Sequence, residues 1–250
     1  MFLSTKPLAQ PLWMAGSPES NVLPDPATAS VCAVIRDLRQ ALQLPSSVRV
    51  HGVFWHHDPL SHLVDRLPPA LAAAHPKRQR DYLLGRHCAA SALVDAGYPA
   101  AAWLPAGQDK LPVWPAGWLG SISHSGRGAV AAVARQDSCE LLGIDMEGLI
   151  ERSTATDISH LVASRDEFDL MPGLGIERGL ALLFSAKEAL YKALFPKVRQ
   201  FFDFTAAQAV ALDDRLVLAL TVDWGPWPKG TRMPVRFAFR GGHVFTAVHA

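Results

Sequence analysis

Two carboxylates stand where their neighbours are apolar. Residues 143–148 read GIDMEG inside the run CELLGIDMEGLI, and Leu141, Leu142, Ile144 and Met146 look like core. A carboxylate buried without a partner is strongly disfavoured or takes up a proton, so Asp145 and Glu147 need something to face. LLGIDME reads as a strand. Side chains alternate across a strand, which puts Leu142, Ile144 and Met146 on one face and Gly143, Asp145 and Glu147 on the other. Carboxylates at i and i+2 lie roughly 7 Å apart, within reach of one hard cation. Magnesium takes oxygen ligands from one or two carboxylates and leaves room for substrate phosphates. The same pattern also describes a half-exposed strand with a polar outer face.

A second constellation is FSAKEALYK, residues 184–192. Glu188 and Lys192 share a helical face, acid before base, the favoured order. The pair also reads as a surface salt bridge. With Ser185 as N-cap and Glu188 at N3 it reads as a capping box, although helical periodicity starts well before Ser185. The third constellation is GSISHSG, residues 120–126, where His124 and nearby backbone amides at a strand end suit a phosphate. Lys110 in GQDKLPVWP and Arg78, Arg80 and Arg86 upstream add positive charge, and arginine matches phosphate oxygens bidentately. The histidines of FWHHDP, His56 and His57, are adjacent on a strand and point to opposite faces, which argues against a shared zinc ion.

The elements that must position these residues follow from periodicity. The spacing predicts an amphipathic helix over 31–42, a strand over 48–55 and a long helix over 77–95 with its basic residues near the start. A strand, a glycine turn and a second strand are expected over 121–134. A helix should run from Glu177 to Phe195, with Pro196 stopping it. RLVLALTVDW and PVRFAFRGGHVFTAVHA read as three strands, the last two joined at Gly241-Gly242. The first thirty residues hold five prolines and should be extended. Each half thus carries a long helix and several strands, an α+β protein divided at about residue 138 into 1–138 and 139–250.

Composition bounds the function. Hydrophobic residues make up 49% and charged residues 19% of the 250 residues, as in soluble globular proteins. A net charge of +1 excludes the profile of a general nucleic-acid binder, so any anion site must come from local clustering. Three dispersed cysteines form no CxxC pair, which points away from a disulfide framework and towards a reducing, cytoplasmic setting. No apolar run is long enough for a membrane span, and the N-terminus lacks a signal-peptide core.

The order KRQRDYLLGR, DKLPVWP, GSISHSG, GIDMEG, FSAKEALYKALFP resembles the 4'-phosphopantetheinyl transferases of the surfactin/enterobactin type, over roughly residues 77–205. Their hallmarks are a GxDxE strand and a (W/F)SxKExxxK helix preceded by S(I/T)SH; the WP and KALFP stretches resemble the enterobactin branch. The resemblance implies a pseudo-symmetric monomer of two α+β halves. It implies coenzyme A as donor, magnesium as cofactor, and a serine of an apo acyl or peptidyl carrier protein as acceptor. It assigns Asp145, Glu147 and Glu188 to the metal, and His124 with Ser123 to the coenzyme A phosphates. Lys192 would steady the pyrophosphate, Lys110, Arg78 and Arg86 would meet nucleotide phosphates, and Glu188 is the candidate base. Asp81 stands where a glutamate is usual, and Lys110 where this branch often has arginine. The alternatives are a magnesium-dependent pyrophosphate phosphodiesterase and a non-catalytic coenzyme A-binding module.

Overall fold

The computed structural model describes residues 32–35, 37–55, 61–99, 102–107, 111–126 and 128–250. Lys110, His56, His57 and the proline-rich first thirty residues lie outside this set. The first part of the described chain holds β1 (Cys32–Val34), α1 (Leu38–Ala41), β2 (Arg49–Trp55), α2 (Pro76–Asp95), β3 (Trp118–Ser125) and β4 (Gly128–Arg135). The four strands form an antiparallel sheet in the order β1-β2-β4-β3. The later part holds β5 (Leu142–Gly148), α3 (Arg152–Val162), α4 (Arg165–Asp169), α5 (Gly175–Val198), β6 (Ala207–Leu212), β7 (Leu216–Leu220), β8 (Arg232–Arg240) and β9 (His243–His249). Its antiparallel sheet runs β5-β9-β8-β7-β6. The result is α+β, with a long helix on each of two sheets.

Several expectations are corrected. The helix over 31–42 does not form: Cys32–Val34 pair with Trp55–Val53 as an edge strand, and only one helical turn follows. Branched residues suit a sheet edge as well as a helix, and the partner strand decides. Pro196 does not stop α5, which runs on to Val198 before Arg199 turns left-handed (φ 55°). A proline in the last turn removes one donor without blocking that turn. The helices α3 and α4 and strand β6 escaped the sequence reading. In α3 the run RSTATD is rich in hydroxyl and short polar residues that favour turns in isolation. The β8–β9 hairpin forms as expected, with positive φ at both Gly241 (53°) and Gly242 (74°), the primed turn that suits twisted strands.

β4 is buried on both faces, which explains its unbroken apolar run GAVAAVA. Ala129, Ala131 and Val133 pack with Leu84, Cys88 and Leu93 under α2. Val130, Ala132 and Ala134 pack with Ile144, Met146, Phe245 and Ala247 of the second sheet. The apolar face of β5 therefore closes the core between the sheets, and its acidic face is left to α5. There the approach is close: a Cβ on Gly143 would lie 2.0 Å from the Ala189 carbonyl oxygen and 2.7 Å from the Ala193 nitrogen. Behind this contact the buried Ser185 and Thr246 hydroxyls pair at 2.8 Å and tie α5 to β9. Ser185 is thus a mid-helix anchor and not a cap. No helix among the described residues is long and apolar enough to cross a membrane.

Candidate active site

β3 and β5 are edge strands of different sheets, and their ends run side by side. Every second residue of β3 from Ser121 is a serine, and each reaches β5. The Ser121 hydroxyl accepts from the Ile144 amide at 3.0 Å. Ser123 donates to Asp145 Oδ1 at 2.6 Å, and Ser125 to Glu147 Oε1 at 2.8 Å. The Gly148 amide donates to the same Glu147 oxygen at 2.8 Å. Across the cleft Lys192 donates to Asp145 Oδ1 at 2.5 Å and to the Ser123 hydroxyl at 2.9 Å. Lys192 therefore pairs with Asp145 from the other element, where the sequence suggested a pair within the helix.

The electrostatics are those of crowded acids around one ammonium. Burial, then the charge of Asp145, pushes Glu147 up to about 7, against the bonds from Ser125 and Gly148. Burial is also the main reason Glu188 sits above the usual glutamate range; Lys192 pulls it back, and Asp145 pushes it further up. For Lys192 burial acts downward, but Asp145 and Glu188 outweigh it and raise its pKa. Glu188 precedes Lys192 by one helical turn and so lies on the same face of α5.

His124 points the other way from Ser123, towards α2, as strand alternation requires. Its Nδ1 stands 3.5 Å from Asp81 Oδ2. Burial among neighbouring groups lowers its pKa despite the pull of Asp81, although half of its side-chain surface still meets solvent and tempers the effect. Asp81, noticed in the sequence only as a departure from a motif, thus faces the imidazole. An acidic residue four positions after Lys77, amid basic neighbours, was the available signal.

The structure divides the remaining expected site residues. Asp145, Lys192 and Ser123 are in direct contact. Glu147, Glu188 and His124 lie within electrostatic range of them, without the expected ligands Asp145, Glu147 and Glu188 closing into one cluster. Ser123 is buried, with its hydroxyl committed between Asp145 and Lys192, so it is placed as a carboxylate partner where a phosphate contact was expected. Arg78 is exposed on the first turn of α2. Arg86 is turned into the protein, donating from Nε to the Leu104 carbonyl at 2.8 Å and lying over the Tyr82 ring. Burial lowers its pKa despite Tyr82. Lys187, beside Glu188 in sequence, points away from the cleft into a buried ion pair with Glu167 at 2.9 Å.

A hard divalent cation fits the chemistry of the donors. All are carboxylate oxygens, and Asp145 Oδ2 is buried without a hydrogen-bond partner. In the present arrangement the counter-charge comes from Lys192. No three His, Cys, Asp or Glu side chains among the described residues are gathered into a ligand cluster.

Two family models match the chain. Residues 67–134 match the 4'-phosphopantetheinyl transferase N-terminal domain, and residues 141–224 match the 4'-phosphopantetheinyl transferase superfamily. Enterobactin synthase component D of Salmonella typhimurium is 34% identical over 157 residues, 61% of this chain and 60% of that protein; the chain thus spans less than two thirds of this relative's length. The 4'-phosphopantetheinyl transferase PptT of Mycobacterium tuberculosis is 32% identical over 191 residues, 72% of this chain and 82% of that protein. The 4'-phosphopantetheinyl transferase Svp of Streptomyces mobaraensis is 34% identical over 199 residues, covering 76% and 80%.

Proposed function

We infer that this chain, which belongs to the 4'-phosphopantetheinyl transferase superfamily, moves the 4'-phosphopantetheine group of coenzyme A to a serine hydroxyl of an apo acyl or peptidyl carrier protein, releasing 3',5'-ADP. The observation that carries this reading is the acid–lysine cluster on the seam between the two sheets, with one oxygen of Asp145 buried and unpartnered. Asp145, Glu147 and Glu188 would hold magnesium, which when bound neutralises phosphate charge and polarises the pyrophosphate. Phosphoryl transfer needs mainly positioning and charge stabilisation, and the residues present supply both.

Lys192, held by Asp145 and Ser123, presents a fixed cation to the pyrophosphate. His124, with Nδ1 facing Asp81, offers its other nitrogen to a phosphate oxygen. Arg78 and Lys110 remain candidates for the outer phosphates. Arg86 supports α2 in this reading, because it is buried with Nε bonded to the Leu104 carbonyl and its guanidinium over the Tyr82 ring. Glu188 is also the candidate to accept the proton of the attacking serine, directly or through a water, although a cation held by its carboxylate lowers its basicity. We take residues 1–138 and 139–250 as the two halves that enclose the site, in a cytoplasmic monomer with no nucleic-acid or membrane partner.

The test is to mix the protein with magnesium chloride, coenzyme A and an apo carrier, then weigh the carrier. Gain of the phosphopantetheine mass is expected, and D145A and E188A should nearly abolish it while folding normally. Nucleotide release without a carrier indicates the pyrophosphate hydrolase instead, and neither result leaves only a binding module. Trials over fatty-acid, polyketide and peptide-synthetase carriers identify the acceptor.

A further inference from the structure

The three β3 serines do not share one task. Among the described residues Ser121 bonds only to the Ile144 backbone, accepting from its amide at 3.0 Å and reaching its carbonyl at 3.4 Å. Ser125 lies one step beyond the Asp145 contact and grips both the side chain and the backbone of the next acid. It donates to Glu147 Oε1 at 2.8 Å and accepts from the Gly148 amide at 3.2 Å. That amide also donates to Oε1, so one oxygen of Glu147 is fixed from two sides. The bonds fix the carboxylate through Oε1, and no bond within the protein is formed by Oε2 among the described residues. Serine suits this task on a strand edge: its hydroxyl both gives and accepts, and its short chain locks the geometry.

We propose that Ser125 is the positioning residue of Glu147, aiming Oε2 into the site for a divalent cation, while Ser121 only holds the two sheet edges together. This rests on the proposed function, since it supposes that Glu147 is a metal ligand. A ligand carboxylate that is itself hydrogen-bonded binds its metal more tightly, and losing such a partner typically weakens affinity 10- to 100-fold.

Magnesium and manganese binding to the purified protein, measured by titration calorimetry without coenzyme A or carrier, tests this directly. We expect S125A to weaken cation affinity about tenfold or more. S125T, which keeps a hydroxyl, should restore it. In transfer assays S125A should raise the magnesium concentration for half-maximal rate by a larger factor than it raises the coenzyme A KM. S121A should lower thermal stability without moving cation affinity; a merely structural seam would make the two alanine variants alike. Should S125A fail to fold, S125V against S125T compares absence and presence of the hydroxyl at nearly equal shape. Parent-like cation binding by S125A or S125V overturns the assignment of Ser125 alone. Absence of cation binding by the parent protein overturns the metal reading and Ser125's role with it.

Discussion

Gly143→Ala is the sharpest test of how the site is built. The added Cβ would meet the Ala189 carbonyl oxygen at 2.0 Å and the Ala193 nitrogen at 2.7 Å, both backbone atoms that no side-chain rotation can clear. Relief to an ordinary contact requires α5 and β5 to separate by about 1 Å or more. Ala189 follows Glu188, and Ala193 follows Lys192, so the wedge enters the same helical turns that face Asp145. Overpacking of this kind costs about 1–3 kcal/mol. For a chain of this size that lowers the melting temperature by roughly 2–10 °C. The larger effect should be on chemistry, since a displacement of about 1 Å in a positioned site can cost on the order of 100-fold in rate. The assay pairs thermal melts with transfer rates on an apo carrier, with G173A as control because nothing lies within 4 Å of its added Cβ. Parent-like stability and rate in G143A would refute the claim that helix and strand meet without room for a methyl group. A lost rate with unchanged cation affinity would place the damage outside the carboxylate cluster.

Other perturbations follow from the same geometry. Glu147 is raised from the ordinary 4.5 to about 7, so the metal-free fold binds an extra proton and loses up to about 3 kcal/mol of stability as pH rises from 4.5 through 7. Urea titrations across that window should show the loss, E147Q should flatten it, and magnesium affinity should instead rise with pH because the ligand must be deprotonated. H124A should weaken coenzyme A binding about tenfold or more, as for a lost bond to a charged group, and D81A should produce a smaller loss through the same ring. T246V leaves the Ser185 hydroxyl buried without its partner and should cost about 1–3 kcal/mol in urea unfolding.

The chain's own order of residues determined a good deal here. Alternation alone split GIDMEG into an apolar face and an acidic one, and the structure keeps that split: Ile144 and Met146 in the core between sheets, Asp145 and Glu147 towards α5. Long periodic segments such as 77–95 and 177–195 were legible because a buried stripe repeats over many turns. Short segments were not. Cys32–Val34 became a strand because β2 lay beside it, and α5 passed Pro196 because its packing outweighed one missing bond. Partnership was the other thing hidden from local pattern. Glu188 and Lys192 read as a pair within one helix, yet Lys192 spends its charge on Asp145, 47 residues away in sequence. Ser123 read as a phosphate contact beside His124, but alternation on β3 sends the two to opposite sides, one into the acid cluster and one to Asp81. Residue types and spacing determine which chemistry is available, because side-chain direction is a local property of helix and strand. Which groups meet is decided by the packing of edge strands from two sheets, and by a glycine that lets a helix approach one of them.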